Sequence, residues 1–237
     1  MMMSRFAFDL TPATKAARQA ASLCVLLAMA GLLAPAASAM TASALGASGF
    51  TGFLPVGLSV VLPGGNEQIL FLLAIFLASP RTGPLLAQVF AWMAGHILTL
   101  WLVAFGVVQV PAGPLAWLVP LTIVLAAAEN LLFGRMTKFK TGLVFVYGLI
   151  HGMSFGLIYE AIPVTGDTGF GTLIGFNLGL EVAHIAVIGL AFAASLYFRG
   201  VLKQASRMDL YRPMIVVPVS LAILVTGLIW TIRAFTG

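Results

Sequence analysis

Six apolar blocks, each long enough to cross a bilayer, leave this chain little choice of fold. They run from Phe50 to Ser79, Pro84 to Val110, Gly113 to Phe133, Thr141 to Ile162, Gly169 to Phe198 and Pro213 to Phe235. A hydrocarbon core is about 30 Å thick, which takes about 20 helical residues to span. Lipid offers no partner to backbone N–H and C=O groups, so runs of this kind fold as helices. Only 8% of the residues are charged, against about 25% in a soluble domain. The expected fold is therefore an all-α integral membrane protein, a six-helix transmembrane bundle embedded in the lipid bilayer. The net charge of +5 does not point to nucleic acid, because the basic residues fall in short loops and form no stripe interleaved with aromatics.

The N-terminus reads as a targeting segment. Arg5, Lys15 and Arg18 precede the apolar run Ala20–Ala34, and Ala37-Ser38-Ala39 is a small-x-small cleavage signal. The expected organisation is a signal peptide over 1–39, a short exported lead-in over 40–49 and one six-span domain over 50–237. Cys24, the only cysteine, lies in the signal. A mature chain without a thiol has no disulfide, iron–sulfur or thiolate metal site.

Loop charge gives the orientation. Arg81, then Arg135, Lys138 and Lys140, then Arg199, Lys203, Arg207 and Arg212 fall in alternate loops. The intervening loops carry no base, and Arg233 near the C-terminus is the exception. By the positive-inside rule the basic loops are cytoplasmic and both termini lie outside a bacterial-type inner membrane. The first block is interrupted by LPGGNEQ, Leu62–Gln68. A span broken near Pro63–Gly65 keeps this charge pattern, whereas a re-entrant hairpin spoils it. Such breaks are tolerated where they line a cavity or are covered by protein, and they often mark binding sites.

All three histidines, His96, His151 and His184, lie within apolar blocks, as do Glu67, Glu129 and Glu181. A charge inside a membrane costs about 2.5–3.5 kcal/mol on insertion scales, so such groups usually face an interior and carry function. Asn177, Glu181 and His184 are spaced i, i+4, i+7 and share one helix face. Glu-x-x-His can aim two ligands at one point, as in metal-binding bundles. Oxygen with imidazole nitrogen suits Ni, Co, Zn or Fe. The same pair can also simply bond two helices together. Gly148, Gly152 and Gly156 in the fourth block, and Gly171, Gly175 and Gly179 in the fifth, form small-xxx-small stripes that permit close helix approach. These stripes suggest that the two blocks converge and bring His151 near Glu181 or His184. Gly46-Ala47-Ser48-Gly49 matches the serine motif of rhomboid proteases but precedes every span, so no enzyme is read from it.

Five ordered pieces, GGNEQILFLLA (64–74), GHILTL (95–100), AAAENLLF (126–133), YGLIHGMSFG (147–156) and FNLGLEVAH (176–184), resemble the HupE/UreJ family of bacterial membrane proteins, in particular its second, less characterised branch. The resemblance implies a nickel permease-like or metal-facilitator role. One departure concerns the first span. The family's His, five residues, Asp-His falls here on Val61, Glu67 and Gln68, so only a carboxylate remains. Where many relatives carry Gln after FNxGxE, this chain has His184. A rearranged site for a divalent transition metal would use His151, Glu181, His184, His96 and Glu67. Asn177, Asn130 and Glu129 would support those ligands by hydrogen bonds. No ATPase motif is present, so movement would be facilitated or coupled to a gradient. The alternative is a non-transporting structural or assembly subunit of a membrane complex, in which the polar residues only bind helices together.

Overall fold

A computed structural model describes residues 47–78, 81–133, 138–163 and 169–236. The expected signal peptide and most of the lead-in fall outside them. The described residues form seven α-helices and no strand. They are α1 (Gly49–Val61), α2 (Asn66–Ala78), α3 (Thr82–Ala104), α4 (Ala112–Leu132), α5 (Lys138–Glu160), α6 (Phe170–Gln204) and α7 (Val217–Thr236). A 3₁₀ turn, Met208–Leu210, and a π turn, Arg212–Val216, lead into α7. Five helical segments are long and apolar enough to cross a membrane, and α1 with α2, bent by 69° at the break, pass the same test together, as a broken span or a re-entrant loop. The chain is a multi-pass membrane protein.

The break follows from its sequence. Pro63 has no amide hydrogen to continue the helix, so α1 ends at Val61 and α2 begins at Asn66. A side chain at Gly65 would strike Val61, so glycine lets the two half-helices meet closely. The second block is helical only to Ala104; Gly106, at φ 69°, then turns the chain toward α4. Helix α6 outruns its apolar block, its 35 residues measuring about 52 Å at 1.5 Å per residue. That exceeds a hydrocarbon core of about 30 Å, and its last turns carry Arg199 and Lys203.

The glycine stripes do not pair α5 with α6, as their matching period suggests. Each meets a different helix. Methyl groups at Gly148 and Gly152 would collide with the backbone of Trp92 and His96 in α3, and one at Gly156 would hit Val103. Gly175 and Gly179 meet the backbone of Phe50 and Leu54 in α1, while Gly171 makes only ordinary contact with Phe50. Period alone shows that a face is small and leaves its partner open. The main helix pairs are α3 with α5, α1 with α6 and α4 with α7. Thr99 Oγ1 donates to the carbonyl of Leu149 at 2.7 Å across the first of these. These pairs enclose a core around Phe53, Phe71, Trp92, Phe155 and Phe176.

Candidate metal centre

Close packing of α3 on α5 fixes His96 on the inner side of α3, where its ring is fully buried. On α6 the glycine face turns toward α1, which leaves Glu181 and His184 directed inward, 8% and 1% exposed. The three side chains meet. His96 Nε2 lies 2.7 Å from Glu181 Oε1. An ionised carboxylate only accepts, so the shared proton sits on Nε2. Oε2 of Glu181 is 3.5 Å from His184 Nδ1. One ligand atom from each residue lies within 4.8 Å of the others.

The surroundings are aromatic. The Trp92 ring centroid stands 4.5 Å from that of His96 and 4.6 Å from that of His184. Phe155 packs edge-on to His96 and tilted against His184. These rings exclude water and hold the imidazoles, yet they satisfy none of the polar atoms. Glu181 Oε2, both ring nitrogens of His184 and His96 Nδ1 have no hydrogen-bond partner in the protein. A buried unpaired polar atom costs about 1–3 kcal/mol, and native structures keep few of them without a reason. Four in one cluster of imidazoles and a carboxylate match what a cation would satisfy. Ligand bonds are about 2 Å, so donor atoms this close can surround one ion after small side-chain rotations.

The other sequence candidates divide. His151 stands next to the trio but faces elsewhere. Its Nε2 is 2.9 Å from Thr122 Oγ1 of α4, and its ring lies on Phe71 at 4.5 Å. Asn177 is one turn before Glu181 on α6, with its Nδ2 unpaired. Glu67 lines a cavity at the α1–α2 break. Glu129 and Asn130 belong to a separate network at the other end of α4. Tyr147 donates to Glu129 at 3.3 Å, Lys140 lies 3.4 Å from Glu129 Oε2 and donates to Asn130 Oδ1 at 3.4 Å, and Asn130 Nδ2 donates to the Ala74 carbonyl at 2.7 Å. Their bonds are thus directed away from the trio.

Sequence reasoning missed Trp92, Thr122 and the burial of Lys140. Trp92 precedes His96 by one helical turn, a spacing that could have flagged it. Thr122 has no local signal. Lys140 reads as one more loop cation until the depth of Glu129 at the end of the preceding helix is weighed beside it.

A family model described as HupE / UreJ protein matches residues 36–234. No curated protein and no solved structure matches the chain.

Proposed function

The chain belongs to the HupE/UreJ family, and from that membership and the buried trio we propose that it binds a divalent transition metal at mid-depth and carries it across the membrane. The observation that carries this reading is the set of unpaired atoms on His184 and Glu181. The family's link to nickel and cobalt handling agrees with a nitrogen–oxygen ligand set, which also accepts Zn and Fe(II). His96, Glu181 and His184 are the ligands, and Asn177, one turn from Glu181 with its Nδ2 unpaired, adds a polar group beside them. His151 and Glu67 stand on the approach. To give Nε2 to the cation, neutral His96 shifts its N–H to Nδ1, which has no other partner, so loading needs no net proton release. With no ATPase motif in the chain, movement is facilitated or coupled to a gradient.

Uptake of Ni²⁺ or Co²⁺ into proteoliposomes tests the proposal. The wild-type chain should load the vesicles, and Glu181→Ala should not, while keeping its elution profile and helicity. Equal uptake by both would contradict it.

A second reading is supported by the 2.7 Å contact of His96 with Glu181, which ties α3 to α6. A structural subunit needs no more than that bond. In that case Glu181→Ala lowers stability or assembly, and no metal binds to either form.

A further inference from the structure

The cavity of about 740 Å³ at the broken first span is walled by Ser59, Asn66 and Glu67 around the break, Ser154 of α5, and Trp230 and Arg233 of α7. Ala116, near the start of α4, also lines it. Ala116 near the start of α4, Ser154 in the second half of α5 and Arg233 near the end of α7 set the cavity toward the face where α4 begins and α5 and α7 end, and the break between α1 and α2 opens onto it. The basic loops lie at the opposite face, so this one is outer by the charge rule. Arg233, the basic residue that breaks the charge pattern, stands on the cavity wall.

A short aromatic layer separates the cavity from the buried trio. Glu67 is one turn from Phe71, whose ring lies 4.5 Å from that of His151 and 5.8 Å from that of Trp92. Ser154 adjoins Phe155, which touches both His96 and His184. Polar wall residues therefore reach within about one turn of rings that contact the site.

The other face is tied shut by the Lys140 network. Asn130 bonds α4 to the Ala74 carbonyl of α2, and Lys140 of α5 reaches Glu129 and Asn130. Arg212, in the π turn before α7, donates to the carbonyls of Asn130 and Leu131 at 3.2 and 3.4 Å. Four spans are thus joined about 20 Å along α4 from the cavity, at 1.5 Å per residue from Ala116 to Asn130.

We infer that the cavity at the helix break is a water-filled loading vestibule for a hydrated cation, and that this conformation faces outward, with the Lys140–Glu129–Asn130 network as the closed inner gate. The inference rests on the proposed metal site only for the identity of the cargo. Opening the inner side requires that these bonds break and that α1–α2, hinged at its break, closes over Ser154.

Thiol labelling tests this without metal. In a Cys24→Ser background, Ser154→Cys is exposed to a charged, membrane-impermeant methanethiosulfonate in right-side-out and inside-out vesicles. Ile185→Cys, on a lipid-exposed position of α6, is the control. Ser154→Cys should react from the outer side about tenfold faster than the control and not from the inner side. Adding Lys140→Met should slow outer labelling about tenfold, the mark of a shifted two-state equilibrium, and open labelling from inside. Asn130→Ala, which leaves the ion pair intact, should shift it in the same direction by less. Labelling of Ser154→Cys no faster than the control overturns the vestibule. Equal labelling from both sides, or labelling unchanged in both gate variants that elute as folded protein, overturns the gate. Wild-type protein without bound metal defeats the cargo and leaves the labelling result standing.

Discussion

At mid-depth, His184 is buried with neither ring nitrogen hydrogen-bonded, and Glu181 Oε2, 3.5 Å from its Nδ1, makes no hydrogen bond either. Toward the basic face, Lys140 is also buried, yet it meets both Glu129 and Asn130. The two clusters hold the same kinds of groups, carboxylates with basic partners inside an apolar bundle. They differ in whether the protein completes them. The Lys140 cluster spends its donors and acceptors on backbone carbonyls and on one another, which joins helices. The mid-depth cluster leaves its acceptors open, which suits a ligand and is costly without one. Burial alone therefore does not identify a site; unmet hydrogen-bonding capacity does.

The largest effect should follow from removing a ligand. Glu181→Ala is expected to weaken metal binding by more than about a hundredfold, since even supporting residues around a metal are worth 10–100-fold. Isothermal titration in detergent measures it. The same variant should also cost about 1–3 kcal/mol of stability, because it leaves buried His96 Nε2–H without its acceptor. Next comes the Lys140 cluster. Lys140→Met should lower unfolding stability by about 3 kcal/mol, because Glu129 is left without its charge partner, while metal affinity stays within about threefold. Lys140→Met with Glu129→Leu should recover most of that loss in thermal melts. If Lys140→Met abolished metal binding and Glu181→Ala did not, the assignments of the two clusters would be reversed.

Gly152→Ala ties the two regions to the packing that positions them. Its methyl would strike the His96 carbonyl and Thr99 Oγ1, so a loss of about 1–3 kcal/mol is expected from overpacking, with metal affinity falling as His96 shifts. Gly142→Ala, where a methyl meets nothing, should change neither. The smallest effect is expected at Thr122→Val. It leaves His151 Nε2 without its partner and should cost about 1 kcal/mol in a thermal melt, with metal affinity unchanged. A large affinity loss there would place His151 in the coordination sphere.

The spans, the break in the first and the intramembrane position of every histidine were legible in the sequence, because lipid forces apolar runs into helices and makes each exception conspicuous. Glu181 and His184 were legible as a pair from their i, i+3 spacing. Their partner was not. Spacing fixes geometry within a helix and says nothing about which helix faces it. The glycine stripes suggested α5, and His151 with it. In the fold α5 packs on α3 and α6 on α1, so it is His96 that reaches Glu181 while His151 turns to Thr122. Glu129 and Asn130 read as supports for the site because they share its membrane setting. Their depth near the end of α4 puts them against Lys140 instead.

Metal content of the purified protein, after incubation with Ni²⁺, Co²⁺, Zn²⁺ and Fe²⁺ and removal of free ion, tests the central claim most directly. It should be measured beside His96→Ala/His184→Ala and Lys140→Met/Glu129→Leu. Near-stoichiometric metal is expected in the wild type and in the Lys140→Met/Glu129→Leu variant, and none in the double histidine variant. Metal-free wild type, or metal retained without both histidines, would contradict it.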